Sequence, residues 1–178
     1  LSAGGNIVAI GSFANDSNTG HVKLYQYSTS SWEQLGSDIV GTVSGDGIGH
    51  SVSLSSDGKI VAIGSRYDAS IDNSAHIKTY TYHNNEWVQI GTNIYDDGTS
   101  STRGLTATIS SDGTIVAVGG PAGNSALGQI KTYKMKEYNM YPVEIPINPN
   151  TGTSYFDIST NTLYIYNGTI WKSVSMDV

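Results

Sequence analysis

Apolar and polar positions alternate along short stretches of this chain, and the pattern changes character every few residues. "SVSLS" at Ser51–Ser55 sets small polar against apolar residues with a period of two, the mark of a half-buried strand. "SSDG" at Ser55–Gly58 then predicts a turn, because Ser and Asp bond their own backbone and Gly accepts a positive φ at little cost. "KIVAIGS", Lys59–Ser65, follows as a β-branched run without alternation, which predicts a strand buried on both faces. In "HIKTYTYH", His76–His83, Ile77, Thr79 and Thr81 fall on one face and Lys78, Tyr80 and Tyr82 on the other. "NNE" supplies another polar turn and "WVQIG", Trp87–Gly91, a fourth strand. The predicted unit is one four-stranded antiparallel sheet. The glycine and β-branched content and the period of two exclude a helical reading.

The unit recurs. "SSDGKIVAIGS" at Ser55–Ser65 returns as "SSDGTIVAVGG" at Ser110–Gly120 and, eroded, as "SAGGNIVAIGS" at Ser2–Ser12. Tyr25 to Tyr80 and Trp32 to Trp87 are each 55 residues apart, and Tyr80 to Tyr133 is 53. A fixed period of this size is the signature of a repeat architecture, with β-propeller blades the first candidate. The expected fold is all-β and propeller-like, with about three four-stranded antiparallel blades at 1–43, 44–98 and 99–135. The first blade is incomplete, because Leu1 aligns with Leu54 and its first strand is missing; this suggests a piece of a longer polypeptide. The third lacks the tryptophan strand. Residues 136–150 hold three of the four prolines and read as a connector, since proline cannot donate to a central ladder. Residues 151–178 read as a β-hairpin segment of three short strands with turns at "STN" and "NGT", and "LYIYNGTIWKSV" echoes the tyrosine-strand, turn, tryptophan-strand half of a blade.

Composition narrows the function classes. The chain has 178 residues, 13% charged, with 21 glycines and 12 tyrosines, a profile of short strands and tight turns rather than of disorder. A net charge of −6 argues against nucleic acid as a partner, which requires a basic surface to displace counterions. Cysteine is absent, so disulfides and thiolate metal sites are excluded. The longest apolar runs, such as Ile60–Ile63, are too short to span a bilayer, so no membrane insertion is expected.

The phrase "GHSVSLSSDGKIVAIGS…HIKTYTY…WVQIG" resembles the FG-GAP repeat, the blade unit of integrin alpha-chain propellers, and more closely its variant in marine microbial surface proteins and large algal viruses. The resemblance covers Leu1 to Met135. Its name-giving phrase is degenerate here, falling on Ile48-Gly49 and Arg103-Gly104, then on Gly119-Gly120-Pro121. The tail "FDISTNTLYIYNGTIWKSV" resembles segments of viral fibre and capsid-associated proteins. Integrin-type blades often carry a calcium loop, and the resemblance implies one at Asp68, Asp72 and Asn73; Asn15, Asp16, Ser17 and Asn18 occupy the matching loop of the first unit. Calcium needs 6–8 hard oxygen ligands, and no other cofactor is implied.

The remaining candidates carry plainer readings. Asp57 and Gly58, and their counterparts Asp112 and Gly113, are turn residues rather than a paired acid and base, because they sit at equivalent corners of different units. Tyr25, Tyr80 and Tyr133, with Trp32, Trp87 and Trp171, are repeat positions suited to packing between blades. The tryptophans could alternatively stack on sugars. His21 and His76 share a repeat position, which Gln129 takes in the third unit. "GDGIG", Gly45–Gly49, imitates a phosphate loop but precedes a strand. Asn15 and Asn167 lie in glycosylation sequons. No nucleophile elbow or zinc-protease motif is present. The sequence therefore points to a non-catalytic structural or adhesion module on a virion or an extracellular surface, contacting other protein chains of a larger assembly. A carbohydrate-binding propeller and a fragment of a secreted hydrolase are the alternatives.

Overall fold

A computed structural model describes residues 1–66, 75–95, 105–120 and 129–135, together with the strands Ser154–Asp157, Thr162–Tyr166 and Trp171–Ser175. The chain divides into two compact units, Leu1–Lys136 and Glu137–Val178.

The middle repeat of the first unit is a four-stranded antiparallel sheet in sequence order: β5 (Ser51–Leu54), β6 (Ile60–Gly64), β7 (His76–His83) and β8 (Glu86–Tyr95). The β5–β6 turn places Gly58 at φ 72°. Asn84 and Asn85, both at positive φ, turn β7 into β8 as an Asn-Asn pair can.

The repeat on each side forms an incomplete version of this sheet. Before it lie β1 (Ile7–Ser12), β2 (His21–Ser28), β3 (Ser31–Gln34) and β4 (Ile39–Val40); β3 and β4 both pair with β2. Their combined span replaces the single tryptophan strand expected from the sequence. The break falls at Gly36, φ 73°, where the Gln34 side chain donates to the Gly36 carbonyl (3.2 Å) and to Asp38 Oδ1 (2.7 Å). β8 carries the same device without a break. Gly91 is at φ 68°, and Gln89 donates to the Gly91 carbonyl (3.4 Å) and to Asn93 Oδ1 (2.9 Å). After the middle sheet come β9 (Thr106–Ile109), β10 (Ile115–Gly120) and β11 (Gln129–Lys134), in the order β9-β10-β11.

The second unit holds β12 (Ser154–Asp157), β13 (Thr162–Tyr166) and β14 (Trp171–Ser175) as an antiparallel meander. Tyr166 pairs with Trp171, the register that joins Tyr27 to Trp32 and Tyr82 to Trp87. The echo in the sequence is therefore also an echo in backbone pairing.

Within the first unit, two cores lie between consecutive sheets. Val22, Leu24 and Ile39 of the first sheet bury with Ile48, Val61 and Ile63 of the second, and Tyr80 and Trp87 pack against them. Ala62, Ala75 and Ile77 of the second bury with Leu105, Ile109, Val116 and Val118 of the third. Burial on both faces of the "IVAI" strand is thus a property of β6 alone among the three copies. β1 and β10 are each more exposed on one face, and among the described residues of the first unit a neighbouring sheet flanks each of them on one side.

Candidate functional site: open sheet faces and a buried charge cluster

Three contacts recur at both interfaces between sheets. The glycine of each turn lies on an isoleucine of the preceding sheet: a Cβ on Gly58 would stand 2.6 Å from Ile7 Cδ1, and one on Gly113 would stand 2.5 Å from Ile60 Cδ1. The turns are chained by backbone bonds, Ala3 N–H to the Ser56 carbonyl (3.0 Å) and Ser56 N–H to the Ser111 carbonyl (2.9 Å). The second residues of the tyrosine strands, Val22 and Ile77, bury in the same cores as Ile63 and Val118 of the following sheet. Serines of β5 add side-chain links, with Ser51 Oγ accepting from Ala107 N–H and Ser53 Oγ from Ile109 N–H, both at 3.1 Å.

The same positions are open at the two ends. Ile63 is fully buried, but its counterpart Ile10 is 52% exposed. Ile77 is fully buried, but its counterpart Ile130 is 82% exposed. Ile7 is 7% exposed beneath Gly58, whereas Ile115, with no following turn over it among the described residues, is 43% exposed. Side-chain type is the same throughout; the presence of a neighbouring sheet sets the burial.

The predicted aromatic positions divide along the same lines. Trp87 donates its Nε1–H to the Leu35 carbonyl (2.7 Å) and lies against Gly36, so it joins two sheets. Trp32 is exposed and rests on Tyr27 of its own sheet. Tyr25, Tyr80 and Tyr133 are half-buried. Burial, with the nearby Asp46 carboxylate, pushes the Tyr80 phenol up. The side chain of Trp171 lies outside the described residues.

Asp57 and Asp112 perform turn chemistry. Asp57 Oδ1 accepts from Ser55 Oγ (2.7 Å) and Lys59 N–H (3.0 Å); Asp112 Oδ1 accepts from Ser110 Oγ (2.5 Å) and Thr114 N–H (3.0 Å). Partial burial raises the Asp57 carboxyl, but the bonds from Ser55 and Lys59 outweigh it and hold the group below its ordinary value. Hydrogen bonds from Ser110 and Thr114 lower Asp112.

The calcium candidates Asp68, Asp72 and Asn73 lie outside the described residues, as does Asn167. Among the described residues no group of three or more His, Asp or Glu is placed to hold a metal ion. The loop Asn15–Asn18 is described: Asp16, Ser17 and Asn18 have positive φ, and the Ser17 and Asn18 carbonyls dock the stretch from Ser44 to Gly47. Ser17 O accepts from Ser44 Oγ (2.9 Å), and Asn18 O accepts from Gly47 N–H (2.8 Å). Asn15 Nδ2 meets His21 Nδ1 at 2.8 Å.

That segment buries a charge cluster for which the local residue pattern carries no sign. Asp46 lies in the interior with Oδ1 3.4 Å from His76 Nε2 and Oδ2 3.6 Å from Lys78 Nζ. Thr42 N–H donates to Oδ2 at 3.0 Å. His76 Nδ1 is 3.2 Å from Ser65 Oγ, which also accepts the His76 N–H at 2.7 Å. Ser, His and Asp thus stand in line, but Ser65, His76 and Asp46 are all buried, so a substrate carbonyl could not reach the hydroxyl. The order of ring nitrogens is also the reverse of a hydrolase triad. The cluster fastens the segment before β5 to the start of β7.

A pocket of about 190 Å³ opens beside Trp87, lined by Ser37, Asp38, Ile39, Val40, Tyr80, Glu86 and Trp87. It is smaller than the several hundred Å³ usual for small-molecule sites. No described helix is long and apolar enough to cross a membrane. Comparison with known proteins finds no family model that matches the chain and no match among curated proteins.

Proposed function

We propose that this chain is a non-catalytic structural module, built of propeller-type repeats and working through contacts with other protein chains. A virion surface or another extracellular assembly is the setting favoured by the sequence resemblances. The observation that carries the reading is the contrast between Ile63 and Ile77, fully buried, and Ile10 and Ile130, exposed at the same repeat positions. Large apolar side chains on a regular sheet face mark a surface that another protein covers. The convergent polar residues fit this reading, because they are buried and hold loops in place.

The test is the mass of the native assembly, read with the wild-type chain and with Ile10→Asp and Ile130→Asp. The reading expects a stable complex with other protein chains that either substitution weakens. A free monomer in native extract, unaffected by both, would refute it. Carbohydrate binding is the second reading, favoured by the pocket where Tyr80 and Trp87 meet Asp38 and Glu86. A glycan array on which Glu86→Ala abolishes binding would support it; a flat array would remove it.

A further inference from the structure

We infer that the pocket beside Trp87 receives the guanidinium of an arginine side chain from a partner protein, stacked against the Trp87 ring with the Glu86 carboxylate as its counter-charge. The inference rests on the reading of the chain as a protein-contact module and names the chemistry of one contact. The pocket, about 190 Å³, lies where residues 37–40 meet β7 and β8, and all its lining residues are described. Its size suits one side chain rather than a whole small molecule.

The chemistry of the lining selects the ligand. Trp87 Nε1–H is spent on the Leu35 carbonyl (2.7 Å), and Ser37 Oγ donates to Glu86 Oε1 (3.4 Å). Apart from the Tyr80 phenol, the polar side chains left facing the pocket are the Asp38 and Glu86 carboxylates, both exposed. Carboxylates only accept. A sugar hydroxyl presents donor and acceptor together, whereas a guanidinium presents five donors and no acceptor. It is also planar and weakly hydrated, so it stacks on an aromatic face. The Leu35 bond and the Tyr82 ring, centroids 5.1 Å apart, hold the Trp87 ring in place. Asp38 is the more engaged carboxylate, with Lys23 Nζ 3.2 Å from Oδ2 and Gln34 Nε2 2.7 Å from Oδ1. Glu86 stands opposite His83 in the β7–β8 register. With His83 neutral, two carboxylates against one ammonium leave an excess of negative charge beside the ring, in a chain whose net charge is −6. Packing of the repeat does not call for these groups. At the second interface Thr92, Asn93 and Ile94 stand in place of Ser37, Asp38 and Ile39, and no tryptophan follows Tyr133 before Trp171. Gln89 makes the same bond to Asn93 that Gln34 makes to Asp38, so the carboxylate is not needed for the turn.

The test is a titration of the 178-residue chain with acetyl-glycyl-arginyl-glycine amide, read at the Trp87 indole N–H by nuclear magnetic resonance. The control peptide carries citrulline, a neutral isostere of arginine. The expected result is a saturable shift with the arginine peptide, half-complete at about 1–10 mM as befits one stacked, charge-paired side chain, and none with the citrulline peptide. Glu86→Gln should raise the half-saturation about three- to five-fold, and Asp38→Asn should raise it less. Both side chains are exposed, so circular dichroism should show the fold unchanged. No saturable shift, an equal response to citrulline, or an unchanged half-saturation in Glu86→Gln overturns the proposal. The native-mass test separates the two levels. If Ile10→Asp or Ile130→Asp weakens a native assembly while the arginine peptide leaves Trp87 unmoved, the pocket assignment is wrong and the protein-contact reading stands. If the chain is a free monomer in native extract, that reading fails and takes the proposal with it.

Discussion

Replacing the turn glycine by alanine at three equivalent positions separates backbone strain from packing between sheets. Gly5, Gly58 and Gly113 sit at φ 70°, 72° and 75°, so alanine incurs a similar left-handed penalty at each, about 1–2 kcal/mol. The surroundings differ. At Gly5 the new methyl group meets nothing within 4 Å. At Gly113 it meets the tip of Ile60, Cδ1 at 2.5 Å, while Cγ1 and Cβ stand at 3.4 and 3.5 Å, so a side-chain rotation relieves part of the clash. At Gly58 it meets Ile7 along its length, with Cδ1 at 2.6 Å, Cβ at 2.9 Å and Cγ2 at 3.1 Å. The β-branched end cannot turn away, so overpacking adds about 1–3 kcal/mol. The expected losses are about 1 kcal/mol for Gly5→Ala, about 2 for Gly113→Ala and about 3 for Gly58→Ala. Equilibrium urea denaturation followed by tryptophan fluorescence measures them, with the slope checked for constancy. Three equal losses, or Gly5→Ala as the largest, would refute the claim that these turns seat on the preceding sheet.

Ile77→Ala should cost about 2–5 kcal/mol because it leaves a cavity between sheets, whereas Ile130→Ala should stay within about 0.5 kcal/mol in the free chain; the same urea titration reads both. Asp46→Asn leaves the Lys78 ammonium buried without its carboxylate and should destabilise by about 3–5 kcal/mol, and adding Lys78→Met should recover most of that loss. Acid should weaken the fold through the two turn aspartates. Their folded pKa values lie below the ordinary carboxylate value, so the stability they contribute is present above about pH 4 and is lost as pH falls through the lowered values. A melting-temperature series from about pH 5 to pH 2 on Asp57→Asn/Asp112→Asn should show a flatter acid limb than wild type.

Much of this architecture was legible because a repeat states its strands more than once. The period-two pattern in "HIKTYTYH" placed Ile77 and Tyr80 on opposite faces, and they lie in different cores. The "SSDG" phrase announced both the positive-φ glycine and the aspartate that caps its own turn. Burial at the ends was not legible, because "IVAI" is the same string in β1 and β6 while only β6 has a sheet on each side. The charge cluster escaped for a different reason. Asp46 lies in a glycine-rich segment 30 residues from His76, and its role depends on that segment docking on the Asn15–Asn18 loop, a long-range event that no local pattern encodes. Lys78 shares its strand face with Tyr80 and Tyr82, and its burial beside Asp46 follows from the same docking.

The most direct test of the stacked-sheet account is a cysteine pair across two sheets. Ser53 and Thr108 lie on β5 and β9, with hydroxyl oxygens 3.5 Å apart. In the Ser53→Cys/Thr108→Cys chain, thiol titration after mild oxidation should find no free thiol, and a non-reducing gel should show a monomer. Two free thiols in the folded, oxidised monomer would contradict the account.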